Sequence, residues 1–291
     1  MKIFKICFLN LIFIVFLCIL FDWFIIAKQM YKVHSHTEWF CKDRVENMLP
    51  FNKGKKPIIL MGCSYTFGAG VDYNQTISYK LQSLTERKVY NLGQIATGIQ
   101  HSLFLLQKSS FFENNKDLNP EYIFYIFIDD HIRRMYIDFF SENDHLKYLR
   151  YEYKNDQLIL KNPKVNFFDY FKVTFLYKKI NNFFIKNKSE DENFEFLKKH
   201  LIEMKKNINQ KYKDTKFAVI VYPDNFDKCF GEKSGNYNAK WKSLEDEGII
   251  VLNFSEYNLE FKDEYLASDL CHPSGKAWDL LLPIIIQNFN L

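Results

Sequence analysis

A serine, an aspartate and a histidine in this chain have the chemical types needed for nucleophilic catalysis. Ser64 follows Gly62 at the end of the apolar run 57–61, whereas Asp269 and His272 lie close together far downstream. A serine nucleophile needs an imidazole to accept its proton, and the imidazole needs a carboxylate on its other nitrogen. Asp269 and His272 are near enough in sequence to form that pair on one loop. The three residues therefore predict a catalytic triad that works through an acyl-enzyme.

The same residues also have structural interpretations. A Gly-x-Ser turn after a strand often only caps a helix, and Asp269 with His272 could be a turn cap followed by a surface residue. The nucleophile elbow of α/β-hydrolases requires Gly-x-Ser-x-Gly, and Thr66 occupies the last position, which disfavours that family. A serine at a strand end combined with a downstream Asp-His pair favours the triad over these alternatives.

Strand and helix patterns alternate around these residues. Apolar runs typical of buried parallel strands lie at 57–61, 88–92, 122–128, 217–222 and 249–252. Helical patterns lie at 75–85, 99–112, up to about 212, and after Pro273 and Ser274. This order predicts an α/β fold of three layers, α/β/α, with a parallel, flavodoxin-like sheet of about five strands. Ser64 would then stand at the carboxyl end of the first strand, where such sheets gather their active sites.

The alternation is interrupted between about residues 132 and 187. Residues 148–153 and 158–160 flank the turn pair Asn155-Asp156 and predict a β-hairpin. A Phe-rich stretch at 167–185 predicts an amphipathic helix. We interpret this part as a subdomain or lid inserted into the main domain.

The N-terminal segment has the character of a membrane anchor. Residues 6–27 are almost entirely apolar, and about 20 such residues suffice to cross a bilayer as a helix. The sequence therefore predicts an uncleaved transmembrane anchor at 1–30, a connector at 31–55 and the catalytic domain at 56–291. With so short a segment ahead of the helix, we expect the catalytic domain on the extracytoplasmic side of the membrane.

Charge and cysteine content narrow the classes of partner. The net charge is +4, from 39 basic and 35 acidic residues, which does not indicate nucleic-acid binding. The six cysteines include no Cys-x-x-Cys pair, so no metal site is predicted. Cys63 precedes Ser64 and Cys271 precedes His272; a disulfide between them is conceivable, but two small buried thiols are the favoured interpretation.

Four segments together resemble the conserved blocks of SGNH/GDSL hydrolases, and the resemblance covers roughly residues 57–282. They are GCSYTFGAGV at 62–71, NLGQIATG at 91–98, YIFIDDHIRR at 125–134 and DLCHPSG at 269–275. The resemblance implies a parallel sheet between helices and a serine that attacks an ester carbonyl without metal or organic cofactor. It also implies an oxyanion hole made by the serine amide, a second-block glycine amide and a third-block asparagine.

Two positions of the oxyanion hole depart from the family pattern. Ala96 stands at the second-block glycine, although Gly93 and Gly98 flank it, so its backbone amide remains a candidate donor. Asp129 stands at the third-block asparagine, and an ionised carboxylate repels an oxyanion. Losing one such donor typically costs roughly 10²–10³ in rate.

Three explanations for Asp129 remain open. It could be protonated, His131 or Arg133 could replace it as a donor, or the activity could be weak or specialised. An equally good interpretation is that Asp129, Asp130 and Arg133 form a salt-bridged turn after the strand. The candidate substrate-site residues are Gly93, Asp130, His131 and Arg133.

Three functions fit these residues. The leading one is a serine esterase that acts on an acylated small molecule or glycan. The second is an O-acyltransferase that uses the same triad on an envelope polysaccharide, with a sugar hydroxyl in place of water. The third is a related fold that binds a glycan or protein partner without turnover. The changed oxyanion residues favour this third function.

Overall fold

A parallel sheet of five strands forms the centre of the structure, a computed structural model that describes residues 50–95, 97–135, 151–154, 157–160, 189–223, 226 and 237–291. The strand order is β2-β1-β3-β6-β7, and all four pairings are parallel. The strands are β1 (Ile58–Gly62), β2 (Val89–Asn91), β3 (Tyr122–Phe127), β6 (Lys216–Val221) and β7 (Ile250–Asn253). The predicted sheet of about five parallel strands is thereby confirmed.

Helices connect these strands in the described part of the chain. The α-helices are α1 (Ser64–Phe67), α2 (Ile77–Thr85), α3 (Ile99–Lys108), α4 (Ser110–Asn114), α5 (Asp130–Arg134), α6 (Glu190–Lys211) and α7 (Gly275–Phe289). Short 3-10 helices span Tyr73–Gln75, Asn238–Leu244, Phe254–Glu256 and Asp263–Tyr265.

The two faces of the sheet are covered by different helices. Side chains on a strand alternate between faces, so Ile59 and Met61 of β1 join a cluster with α3 and α6. Ile58 and Leu60 point the other way and join a second cluster with α2 and α7. All of β1 is buried, as expected of a parallel strand covered on both sides. The predicted three-layer α/β/α architecture is confirmed.

Two of the predicted helices differ in their bounds from the sequence pattern. The helix predicted at 75–85 begins at Ile77 because the Thr76 hydroxyl accepts a hydrogen bond from the amide of Tyr79 at 3.3 Å. The single helix predicted at 99–112 is two helices, because Ser109 between them is extended. Neither change moves the strands that carry the site.

The predicted hairpin is present as β4 (Tyr151–Lys154) and β5 (Gln157–Leu160), which pair antiparallel. It packs on the main domain through Tyr151, whose hydroxyl donates to Gln107 Oε1 at 2.7 Å and whose ring meets His200 edge-on. The turn at 155–156, the helix predicted at 167–185 and most of the insertion lie outside the described residues.

The predicted membrane anchor at 1–30 also lies outside the described residues, as does the connector up to residue 49. Within the part of the chain that the structure describes, no helix combines the length and apolar character needed to span a bilayer.

Gly93 allows the loop after β2 to pack directly on α1. A Cβ atom at residue 93 would lie 2.5 Å from the Phe67 amide nitrogen and 2.7 Å from the Thr66 Cβ. Gly93 is held there by its amide, which donates to Asn91 Oδ1 at 3.0 Å, while Asn91 Nδ2 donates to the Thr66 carbonyl at 2.8 Å. Gly93 is therefore the residue at which the second block packs against α1, the helix that begins at Ser64.

We expect Gly93→Ala to lower the free energy of unfolding by about 1–3 kcal/mol, because the added methyl meets backbone that must shift. Gly54→Ala is the matched control: residue 54 is exposed, and its nearest neighbour is the end of the Asn52 side chain at 3.2 Å. Urea unfolding measures both variants. Equal stability of the two would show that Gly93 does not pack as described.

Candidate active site

The turn that carries Ser64 requires a close backbone crossing at Gly62. This residue ends β1 with φ 152°, and a Cβ atom there would lie 2.2 Å from Thr66 Oγ1 and 2.9 Å from the Ile126 carbonyl oxygen. Ser64 is the first residue of α1 and is only 3% exposed. Helix α1 ends after one turn at Gly68, which has φ 84° and whose amide donates to the Ser64 carbonyl. The strand-turn-helix context predicted for Ser64 is therefore present.

Asp269 and His272 form the predicted local pair. His272 Nδ1 lies 2.6 Å from Asp269 Oδ2, and Asp269 Oδ1 accepts hydrogen bonds from the amides of Cys271 and His272, each at 3.0 Å. A carboxylate at Nδ1 places the proton on that nitrogen and leaves Nε2 as the acceptor, which is the tautomer that a general base needs.

Hydrogen bonds hold the carboxyl of Asp269 in its charged form. Partial burial acts to raise the pKa of Asp269, but the bonds from the His272 amide, the His272 ring and the Cys271 amide outweigh it. The net result is a pKa below the ordinary value. Asp269 is therefore the acceptor of its hydrogen bond with His272, and the proton stays on Nδ1 of the ring.

The loop that carries this pair is closed by its own backbone. The amide of Ala267 donates to the His272 carbonyl at 2.7 Å, and Leu266 bridges to Pro273. Ser274 caps α7 by accepting from the amide of Ala277, and its hydroxyl donates to the Glu264 carbonyl at 2.6 Å.

The turn that carries Ser64 and the loop that carries Asp269 and His272 are in contact. Tyr65, the residue after Ser64, donates from its hydroxyl to the Cys271 carbonyl at 3.2 Å, and its ring centroid lies 5.4 Å from that of His272. Gly70 approaches Asp269 so closely that a Cβ there would be 2.6 Å from Asp269 Oδ2. The fold thus brings the loop with Asp269 and His272 against the segment that begins with Ser64. Sequence analysis did not single out Tyr65.

The cysteines beside Ser64 and His272 are in different states. Cys63 is a buried free thiol, as predicted, and its burial raises its pKa. Cys271 is disulfide-bonded, so its prediction as a buried thiol is wrong, and its partner lies outside the described residues. A Cys63–Cys271 disulfide is excluded, because Cys63 is free. Positions next to Ser64 and His272 in the sequence do not fix the direction of each Cβ.

The third block is divided between a buried part and a half-buried part. His131 is 0% exposed, and its Nδ1 lies 2.7 Å from the hydroxyl of Tyr125. Burial, together with the charge of Arg134, holds the pKa of His131 well below its ordinary value, so this imidazole is neutral. Asp129 is half-buried at the start of α5. His131 therefore belongs to the core, which does not favour it as a substitute oxyanion donor.

Asp130 is the centre of a buried ion-pair group. Its Oδ1 accepts from Arg133 Nε and its Oδ2 from Arg134 Nε, each at 2.5 Å. The side chains of Asp130 and Arg134 are 2% and 5% exposed, whereas that of Arg133 is 36% exposed. Two members of the salt-bridged turn that the sequence offered as an alternative, Asp130 and Arg133, are thus paired, and Arg134 joins them.

Arg134 and Thr97 were missed by sequence analysis. Arg134 Nη1 donates to the Thr97 carbonyl at 2.5 Å and so joins the third block to the second. The spacing of Asp130 and Arg134 by four residues on a helix could have indicated their ion pair. Nothing in the sequence indicates the carbonyl of Thr97 as a partner. Gly98 follows Thr97 and packs on Arg134, while Ala96 lies outside the described residues.

One group in the described part of the chain has metal-ligand chemistry. Ligand atoms of Asp269, Cys271 and His272 lie within 4.8 Å of one another. Because the sulfur of Cys271 is in a disulfide and Asp269 is bonded to His272, the group has no thiolate to offer and does not favour a metal site.

An open cleft of about 530 Å³ lies beside the loop that carries Asp269 and His272. Its lining residues are Gly70, Val71, Asp72, Gln75, Leu266, Ala267, Ser268 and Ser274. Ser64, Asp269 and His272 are not among them, so this cleft is a neighbour of the candidate site and not the site itself.

Comparisons with known proteins give structural neighbours only. No protein-family model matches the sequence, and no curated protein matches it either. One similar structure is a G-D-S-L-family protein from Desulfitobacterium hafniense DCB-2, with 13% identity, 78% of this chain and 95% of that chain covered, and a TM-score of 0.44. A catalytic mutant of the acetylxylan esterase Axe2 from Geobacillus stearothermophilus has 12% identity, coverage of 84% and 96%, and a TM-score of 0.46.

The psychrotrophic esterase EstA from Pseudoalteromonas sp. is also similar, with 12% identity, 80% of this chain and 96% of that chain covered, and a TM-score of 0.42. The case for the chemistry of this chain therefore rests on the geometry of its own site.

Leu270 lies between the two residues of the Asp-His pair in a conformation that suits glycine. Its φ is 57° and its side chain is 72% exposed. The left-handed region costs an L-residue about 1 kcal/mol. We expect Leu270→Gly to raise the free energy of unfolding by up to about 1 kcal/mol, whereas Leu84→Gly on the surface of α2, where Leu84 is 57% exposed, lowers it by about 0.5–1 kcal/mol. Thermal unfolding of both variants checks the opposite signs.

The lowered pKa of Asp269 predicts a pH-dependent contribution to stability. A carboxyl whose pKa is lower in the folded state stabilises the protein above its unfolded pKa of about 3.9 and loses that contribution as the pH falls through the folded pKa. Asp269→Asn should therefore be less stable than the unsubstituted protein at pH 7, and the difference should shrink below about pH 4. Urea unfolding across this range measures it. A difference that stays constant down to pH 2 would contradict the assignment.

Proposed function

We propose that this chain is a serine ester hydrolase of the SGNH/GDSL type, with Ser64 as nucleophile, His272 as general base and Asp269 as the residue that orients His272. The observation that carries this proposal is the 2.6 Å bond between His272 Nδ1 and Asp269 Oδ2 on a loop that packs against Tyr65, next to Ser64. This bond supplies the tautomer and the charge that a histidine base requires.

In the proposed reaction, His272 Nε2 takes the proton of the Ser64 hydroxyl while Oγ bonds to the ester carbonyl carbon. The tetrahedral intermediate collapses as His272 gives that proton to the leaving alcohol, and an acyl-enzyme remains on Ser64. Water then repeats the sequence, which releases the acid and restores Ser64. Asp269 stabilises the imidazolium that forms in both halves without itself taking the proton.

We propose that backbone amides, from Ser64 and residue 96, are the main donors to the oxyanion. Asp129 replaces the asparagine of the family pattern, and a carboxylate offers no hydrogen. His131, bonded to Tyr125 and buried, is not favoured as a replacement. The loss of one side-chain donor supports a turnover lower by roughly 10²–10³ than that of a complete oxyanion hole.

We further propose that the enzyme works outside the cytoplasm, tethered by the predicted anchor at 1–30, on an acylated small molecule or glycan. The disulfide at Cys271 supports this location, because disulfides persist in oxidising compartments. The same compartment holds envelope glycans, which are candidate acyl carriers.

The test of the proposed function is fluorophosphonate labelling of the full-length chain, followed by mass spectrometry of the labelled peptide. We expect labelling at Ser64 that disappears in Ser64→Ala and falls by at least 10³-fold in His272→Ala, because the nucleophile then lacks its base. Ser83→Ala, at an exposed position of α2, is the matched serine control and should label normally.

Folded protein without labelling would exclude an activated serine and favour a binding role. Labelled protein whose turnover of an acetyl ester accelerates when an acceptor glycan is added would identify acyl transfer rather than hydrolysis.

A further inference from the structure

A chain of hydrogen bonds runs from the third block through the second block to Gly62, at the start of the turn that carries Ser64. Arg134 lies at its centre: Nε is bound by Asp130 Oδ2 and Nη1 donates to the Thr97 carbonyl. The Thr97 hydroxyl lies 2.9 Å from the Gln94 carbonyl and 3.3 Å from the Gly62 carbonyl. The Gln94 amide donates to the same Gly62 carbonyl at 3.1 Å. The buried guanidinium of Arg134 is thus connected to the carbonyl of Gly62, two positions before Ser64. The connection passes through the Thr97 carbonyl and hydroxyl and through the backbone of Gln94.

Further contacts fix Arg134 against this loop. The backbone carbonyl of Arg134 accepts from Gln100 Nε2 at 2.8 Å, which secures the first turn of α3. A Cβ at Gly98 would lie 3.0 Å from the Cβ of Arg134 and 2.7 Å from Gln100 Oε1, so the loop and Arg134 are in direct packing contact. The charge of Arg134 also acts on Cys63, where it lowers a pKa that burial raises.

Stability alone is a poor reason for this arrangement. Buried ion pairs cost desolvation energy that their attraction often does not recover, and apolar replacements are commonly as stable. Arg134 instead donates a hydrogen bond to the Thr97 carbonyl, in the loop that precedes α3. That loop carries residue 96, whose amide we propose as an oxyanion donor. A rigid donor matters more here because Asp129 provides none.

We propose that Arg134 is a positioning residue for ester hydrolysis: bound by Asp130, it holds the second-block loop, which is described at residues 92–95, 97 and 98, against the Gly62 carbonyl through Thr97 and Gln94. In this way it restrains the loop to which the proposed oxyanion amide belongs. This inference rests on the proposed function and adds to it the group that replaces the missing asparagine in organising the site. Arg134 acts through the loop and does not touch the substrate.

The test compares two changes that interrupt this contact. Arg134→Lys keeps the charge but cannot bond Asp130 and the Thr97 carbonyl with one planar fork. The double variant Asp130→Asn/Arg134→Gln removes both fully buried charges together, so it guards against simple unfolding. Arg133 also loses the Asp130 carboxylate in this variant, but its side chain is 36% exposed and reaches water.

Arg87→Lys is the matched control. Arg87 Nη1 also bonds a carboxylate, that of Glu121 at 2.6 Å, and a backbone carbonyl, that of Lys56 at 3.0 Å, but at the amino-terminal end of the sheet.

For each variant we would measure kcat and KM on an aryl acetate, the rate of fluorophosphonate labelling, thermal unfolding, and hydrogen exchange of the amides at 92–98. In both Arg134 variants we expect kcat to fall by about 10–100-fold with KM within about twofold, since small misplacements of catalytic groups have effects of this size. Labelling should slow in parallel, and hydrogen exchange should accelerate at 92–98. Arg87→Lys should leave kcat and the hydrogen exchange at 92–98 unchanged, even where its Tm falls.

The outcomes separate the two proposals. Folded Arg134 variants with kcat within twofold of the unsubstituted chain would overturn the positioning role and leave the proposed function standing. A chain that folds but neither labels nor hydrolyses would overturn the proposed function and, with it, the catalytic role of Arg134. Unchanged hydrogen exchange at 92–98 in Arg134→Lys would overturn the inference in either case, because the loop would then not depend on this contact.

Discussion

The carbonyl of Gly62 is the point at which the parts of this site meet. It lies at the end of β1, which is flanked by β2 and β3, at a point where the backbone passes so close to Thr66 and to the Ile126 carbonyl that no Cβ can be present. The Gln94 amide and the Thr97 hydroxyl both approach this one oxygen. Because β1 pairs with β2 on one side and β3 on the other, the loops after all three strands converge here.

The two halves of the proposed chemistry are organised over different distances in sequence. The proposed acid–base pair is local: Asp269 binds the ring of His272 and two amides of its own loop, and Tyr65 and Gly70 contact that loop from the segment that begins with Ser64. The proposed oxyanion side is assembled from the ends of β1, β2 and β3, and its contacts pass through backbone carbonyls. A substitution can therefore damage one half while the other keeps its geometry.

This difference also explains what could be predicted from the sequence. The strands could be predicted because they are continuous apolar runs, and the Asp269–His272 pair because its members are close in sequence. The bond from Arg134 to the Thr97 carbonyl could not, since it joins residues from different loops and one partner is a backbone group common to every residue type. The environments of His131 and Cys271 depend on the direction of a side chain, which residue type and position do not fix.

The charges of the third block bear on the unusual Asp129. His131 is neutral, so the charged members are Asp129, Asp130, Arg133 and Arg134. Asp130 binds both guanidinium groups, and this trio therefore has a net charge of +1 beside Asp129. With Asp129 ionised, the block as a whole is neutral rather than negative. In the oxyanion hole that we propose, an aspartate at position 129 thus lacks a directed hydrogen-bond donor, while its repulsion of an oxyanion is offset by the neighbouring excess of positive charge. A site of this kind depends on how firmly its remaining backbone donors are held, which is the part that the buried Arg134 contacts.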